Sequence, residues 1–158
     1  MLTVFRRIIQ FIALSAAEQW VLLLSLVLVA HVRLALYVLP SRASLRFVRR
    51  LARADTADAS VRRVPVAHIA WAIDAASRFV PNATCLTQAV AGQLLLRHYG
   101  YASKLCLGVA RPSKGEFYAH AWIEREGRIL IGGAHATDFT RLPSLASTLR
   151  GKPQAGPR

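Results

Sequence analysis

Two residues of this chain stand in surroundings that suit a reaction. Cys85 lies in Pro81-Asn82-Ala83-Thr84-Cys85-Leu86, where a helix is predicted to begin. His120 lies in Phe117-Tyr118-Ala119-His120-Ala121-Trp122-Ile123-Glu124, which alternates like a strand. A thiol in the first turn of a helix has its thiolate stabilised by the helix dipole and by unpaired backbone N–H groups. The same groups, the Cys85 N–H first, can bind the oxyanion of a tetrahedral intermediate. An imidazole on an adjoining strand can take the thiol proton and return it to a leaving group. Alone, a cysteine of this kind is more often an inert core thiol, and a strand histidine more often structural. Together they point to acyl transfer, with peptide hydrolysis first among the options.

A third group should orient the imidazole. If Arg125-Glu126-Gly127 is a three-residue hairpin loop with Gly127 left-handed, Glu124 pairs with Arg128 and His120 with residue 132. That residue is Gly132, which has no carboxylate. Asp138, six residues on, is the substitute closest to hand. A backbone carbonyl or a water could also serve.

The elements that must position these groups follow from periodicity. Val66, Ile69, Ile73, Ala76 and Val80 mark one face of a helix that Pro81 stops. Asn82 or Thr84 can cap the next helix, which runs from about Cys85 to Tyr99 with Gly100 just past its end. Cys85, Ala89 and Gly92 share a face of this helix, which is expected to be wholly apolar and central, and their small size lets it lie close against a sheet. After Gly100 the period changes to two. Leu105, Leu107 and Val109 alternate on a first strand, Arg111 to Gly115 turn, and Phe117 to Glu124 form a second. Ala119, Ala121 and Ile123 point to one side of it, His120, Trp122 and Glu124 to the other. Arg128 to Ile131 begin a third strand.

The first 40 residues hold most of the apolar excess of a chain that is 54% hydrophobic. Met1 to Leu14 imitate a signal peptide, with Ser15-Ala16-Ala17 as a cleavage site. A stronger apolar run follows directly, however. Between Glu18 and Arg33 lie 14 residues, short of the roughly 20 that span a bilayer. From Ile8 to Val32 there are 25 residues with one charge, which is long enough. Apolar helices buried in the fold or lying on a membrane surface are the expectation. Arg42, Arg46, Arg49, Arg50 and Arg53 then recur at helical spacing around Leu45, Val48 and Leu51. This is an amphipathic helix with a cationic face, either simply solvated or a docking surface for a partner or acidic lipid. Residues 151–158 are predicted to be disordered.

Composition bounds the remaining classes. The 158 residues suit one modest core. A net charge of +13, with 18 Arg among the 21 basic residues, favours anionic partners. The arginines carry no interleaved aromatics or nucleic-acid motif, which argues against nucleic acid. Two cysteines make no disulfide framework. Cys85 heads a helix and Cys106 sits in an apolar strand, so pairing between them is disfavoured. Cys106 is expected to be inert core. The five histidines lack a zinc-ligand spacing, and no metal is expected.

Thr84-Cys85-Leu86-Thr87-Gln88-Ala89, Leu94-Leu95-Leu96-Arg97 with Gly100, Leu105-Cys106-Leu107-Gly108-Val109, and Ala119-His120-Ala121-Trp122-Ile123-Glu124 with Gly127-Arg128 together resemble the transglutaminase-like proteases of lasso-peptide biosynthesis. The resemblance covers residues 66–133 and is closest to the stand-alone protease half of the B protein, the microcin-processing family. It implies an α+β fold with a transglutaminase-like (papain-like) core. A central Cys-bearing helix packs there on a small antiparallel sheet, after apolar and Arg-rich helices. It implies an N-terminal helical region at 1–60, a protease core at 61–145 and a tail at 146–158. It further implies a cysteine peptidase without cofactor that removes the leader of a ribosomally made precursor peptide; the two unpaired cysteines point separately to a reducing, cytoplasmic compartment, with the apolar N-terminus either buried or on a membrane surface. A small leader-recognition protein presents that leader, and an ATP-dependent macrolactam cyclase closes the ring. The family's Cys and His map onto Cys85 and His120, and its aspartate maps onto Gly132. The competing expectation is a non-catalytic docking protein of the same fold, binding a peptide, a partner or a membrane.

Overall fold

The computed structural model describes residues 14–38, 64–110 and 117–142, with Ala43 and Arg46. Apart from Ala43 and Arg46, both helical, the expected arginine-rich helix lies outside the described residues, as does the expected disordered tail. Among the described residues, three helices with defined bounds precede a four-stranded antiparallel sheet. They are α1 (Ala16–Val38), α2 (Val66–Ser77) and α3 (Cys85–His98). The strands are β1 (Lys104–Ala110), β2 (Tyr118–Arg125), β3 (Arg128–Ile131) and β4 (Thr140–Arg141), in the order β3-β2-β1-β4. A 3₁₀ turn over Gly133–Asp138 joins β3 to β4. The α+β expectation holds.

Helix α1 begins in a way the signal-peptide imitation concealed. Ser15 and Glu18 form a capping box: the Glu18 carboxylate accepts from the Ser15 N–H at 2.8 Å, and the Ser15 hydroxyl accepts from the Glu18 N–H at 3.4 Å. The Ser15 hydroxyl, donating to the Glu18 carboxylate at 2.7 Å, and then the Ser15 N–H hold the Glu18 carboxyl below the ordinary carboxylate range. One 23-residue helix follows, long and apolar enough to cross a membrane. Its Val21, Ser25, Val29 and Val32 face is buried, and the helix packs on α2 and α3. Trp20, Leu23, Val27, Leu34 and Tyr37 are exposed.

The predicted face of α2 is the buried one: Ile69, Ile73 and Ala76 are sealed in the core, with Val66 and Val80 packed against it. The helix ends at Ser77, before Pro81, because the chain turns at Arg78 and Phe79. In α3, the small face lets the helix settle on the sheet. A Cβ added at Gly92 would collide with the Ile131 side chain and lie 3.1 Å from Ile123 Cδ1. The helix is less apolar than expected, because Thr87 and Gln93 are buried as well.

Strand alternation divides the sheet. Leu105, Ala121, Ile123 and Ile131 join the core beneath the helices. Cys106, Trp122, Ala136 and Phe139 form a second, smaller cluster. Ile123 is wholly buried at the centre of the first face. Truncating it to alanine is expected to cost about 2–5 kcal/mol of unfolding free energy, measured by denaturant titration.

The β2–β3 hairpin differs from the expected one. Arg125 pairs with Arg128, and the loop is the two residues Glu126 (φ 51) and Gly127 (φ 75). Two successive left-handed residues match the twist of the flanking strands better than a three-residue loop does. A bulge between Ile123 and Glu124 shifts the register, so that Ile123 pairs with Ile131. The ladder stops there, and Gly132 turns out of it.

Candidate active site

Thr84, with φ −81 and ψ 166, caps α3, and its hydroxyl accepts from the Thr87 N–H at 3.3 Å. The Gln88 N–H bonds the Thr84 carbonyl at 3.0 Å. The N–H groups of Cys85 and Leu86 have no acceptor among the described residues. Cys85 is thus the first helical residue, half-buried against the core, beside two free donors at the positive end of a 14-residue helix.

His120 lies at the start of β2, opposite Gly108 of β1. Its Nε2 is 2.7 Å from the Gly132 carbonyl oxygen. The ring stacks on Trp122 with centroids 6.1 Å apart and packs on Phe139 at 5.1 Å. Gly108 makes room for this cluster. A Cβ there would lie 2.8 Å from Phe139 Cβ and 2.9 Å from the Trp122 ring.

The helix and the strand agree in direction. The residues after α3 meet the far end of β2: the Arg125 guanidinium lies 5.1 Å over the Tyr101 ring and donates to the Ala102 carbonyl at 3.4 Å. Gly92 lies over Ile123 in the middle. The N-terminus of α3 must then lie toward the beginning of β2. Cys85 is seven residues before Gly92, about 10 Å of helix. His120 is three residues before Ile123, about 10 Å of strand. Both therefore reach the same end of the helix–sheet layer. Their faces differ, because Cys85 packs with the helical core and His120 with Trp122 and Phe139. No hydrogen bond joins thiol and imidazole among the described residues.

Asp138 closes the 3₁₀ turn and is exposed. The group on His120 is the Gly132 main chain. Sequence reasoning included a backbone carbonyl among the options, but the turn that aims this one depends on where β3 stops.

No spacing or motif pointed to the cluster around Glu124. The Glu124 carboxylate accepts from Trp122 Nε1–H at 2.7 Å and pairs with Arg141 of β4 at 2.9 Å. Burial opposes ionisation, but the Trp122 hydrogen bond and Arg141 outweigh it and hold the carboxyl below its ordinary value. Its stabilising contribution is present above the unfolded carboxylate pKa of about 4.3 and is lost as pH falls through the lower folded value. The stability difference between wild type and Glu124→Gln should therefore hold through neutral pH and shrink in acid, as urea titrations at several pH values will show.

Cys106 is buried beside this cluster and accepts from Arg141 Nη2–H at 2.7 Å. Burial, then the Glu124 charge, pushes its thiol up to about 11. At neutral pH it is protonated and inert, as expected of a core thiol. Among the described residues no group of His, Cys, Asp or Glu could hold a metal.

The family model of the transglutaminase-like superfamily matches residues 26–144, well over half of the chain. No curated protein and no solved structure matches it significantly. The match runs from within α1 to just past β4 and takes in both Cys85 and His120. A superfamily rich in cysteine hydrolases and transferases fits a thiol at a helix start above an imidazole-bearing strand, and the chain belongs to the transglutaminase-like superfamily.

Proposed function

We propose that this protein is a cysteine peptidase that removes the leader from a ribosomally synthesised precursor peptide during lasso-peptide maturation. The observation that carries the reading is Cys85 at the N-terminus of α3, with its own and the Leu86 N–H groups free, at the end of β2 that bears His120. Membership of the superfamily and the motifs around both residues support it.

His120 accepts the Cys85 proton, and the thiolate attacks the carbonyl carbon at the leader–core junction. The free N–H groups of Cys85 and Leu86 receive the oxyanion. As the tetrahedral intermediate collapses, the C–N bond breaks and the imidazolium protonates the leaving amine. Water, deprotonated by His120, then hydrolyses the thioester and releases a carboxylate and the free thiol. Asp138 is the sequence's candidate carboxylate for orienting His120. A separate leader-recognition protein would present the substrate and an ATP-dependent cyclase would take the product. The exposed apolar face of α1 would place the enzyme at the inner membrane surface.

A non-catalytic docking role is the second reading. It is favoured by Cys85 and His120 lying on different faces of the sheet with no hydrogen bond between them among the described residues, and by the glycine at 132. Thiol labelling separates the two. In the native protein at neutral pH, iodoacetamide should modify Cys85 faster than a free thiol and leave Cys106 untouched until unfolding or strong alkali. Labelling of Cys85 no faster than a free thiol favours docking.

A further inference from the structure

We infer that the group orienting His120 is the main-chain carbonyl of Gly132, which fixes the proton of His120 on Nε2 and leaves Nδ1 as the basic nitrogen of the ring. The inference rests on the Cys85–His120 reading proposed above and says how that site is oriented.

A carbonyl oxygen only accepts, so the 2.7 Å contact requires Nε2 to be the donor in neutral and charged imidazole alike. In the neutral ring Nδ1 is then the basic nitrogen, and it has no partner among the described residues. The carbonyl is aimed by backbone, not by a side chain. Gly132 has φ 79 and ψ 23, a left-handed conformation that ends β3 and opens the 3₁₀ turn. A Cβ there would lie 2.8 Å from the Ala121 carbonyl oxygen and 3.2 Å from Trp122 Cα. The Gly132 backbone is therefore lodged against β2, the strand that carries His120. Both the conformation and the contact demand glycine. An aspartate at this position could not adopt the same backbone. The chain has a hydrogen-bond acceptor for His120 where a carboxylate would otherwise stand, and the acceptor is neutral. The rings of Trp122 and Phe139 pack on the imidazole and restrict its rotation.

Gly132 is thus a positioning residue, and its neighbour is an internal control. At Gly133 a Cβ would meet the Ile129 side chain, Cγ2 at 3.5 Å and Cβ at 3.9 Å, both ordinary contacts. The test uses the full-length protein labelled with ¹⁵N, in mildly alkaline buffer. Long-range ¹H–¹⁵N correlation should show His120 with a pyrrole-like Nε2 and a pyridine-like Nδ1. The reverse tautomer overturns the inference, whatever the enzyme does to peptides. The second measurement is the iodoacetamide rate at Cys85, which needs no substrate. His120→Ala and Gly132→Ala should each slow it by about tenfold or more, and Gly133→Ala should not. A Gly132→Ala protein that keeps both the wild-type rate and the wild-type tautomer overturns the positioning role. If His120→Ala leaves the rate unchanged, the pairing with Cys85 falls as well. If Gly132→Ala does not fold, the tautomer of the wild-type protein still decides.

Discussion

Cys85→Ala should abolish leader removal while leaving the fold intact. The thiol is the only atom in the proposed scheme that bonds to the substrate, so nothing else can form the acyl intermediate. A loss of about 10³-fold or more in single-turnover cleavage is expected, with residual rate from substrate binding and the free N–H groups alone. His120→Ala should give a comparable loss, and the double variant little more than either, because the two act as a unit. The assay is mass spectrometry of a precursor peptide incubated with the protein and its leader-binding partner. Cys85 is half-buried at a helix start, and its alanine variant retains the Thr84 cap, so melting should change little. Full cleavage by Cys85→Ala would exclude the proposed mechanism outright.

Gly108→Val should damage both stability and site, by a route that does not touch the thiol. Gly108 pairs with His120 on one side and Arg141 on the other. Any Cβ at this position meets Phe139 and the Trp122 ring at less than 3 Å. Those two rings are the ones packed on the imidazole, so relief of the clash must move them. Overpacking of this kind costs about 1–3 kcal/mol, read as a lower urea midpoint at unchanged m-value. The near-ultraviolet dichroism of Trp122 should change, and Cys85 alkylation should slow as His120 loses its setting. Unchanged dichroism and unchanged alkylation would mean that the aromatic cluster does not hold the histidine.

The buried faces of α2, α3 and β2 were legible because burial imposes periodicity. Ile69, Ile73 and Ala76 recur at helical spacing, and Ala121 and Ile123 alternate at strand spacing. Cys85 at a helix start was legible because Thr84 is a cap and Pro81 breaks the preceding helix. Two local features could be read two ways from the sequence. Ser15-Ala16-Ala17-Glu18 carries small residues like a cleavage site, and only the folded helix shows Ser15 and Glu18 bonded as a box. Arg125-Glu126-Gly127 fits a two- or a three-residue loop equally well by composition, and the twist of the strands decided for two.

By itself, then, the sequence determined which residues lie in the core, which thiol sits at a positive helix end, and which strand carries the imidazole. Each follows from local capping or from periodicity, which neighbouring residues carry. Tertiary structure alone decided what orients His120. The Gly132 carbonyl reaches Nε2 because a bulge shifts β3, the ladder stops at Ile131, and a left-handed glycine lies against the Ala121 carbonyl. The Glu124–Arg141 pair likewise depends on β4 lying beside β1. Contacts of this kind join residues 12 to 17 positions apart through main-chain geometry and sheet order, and no spacing in the sequence encodes them.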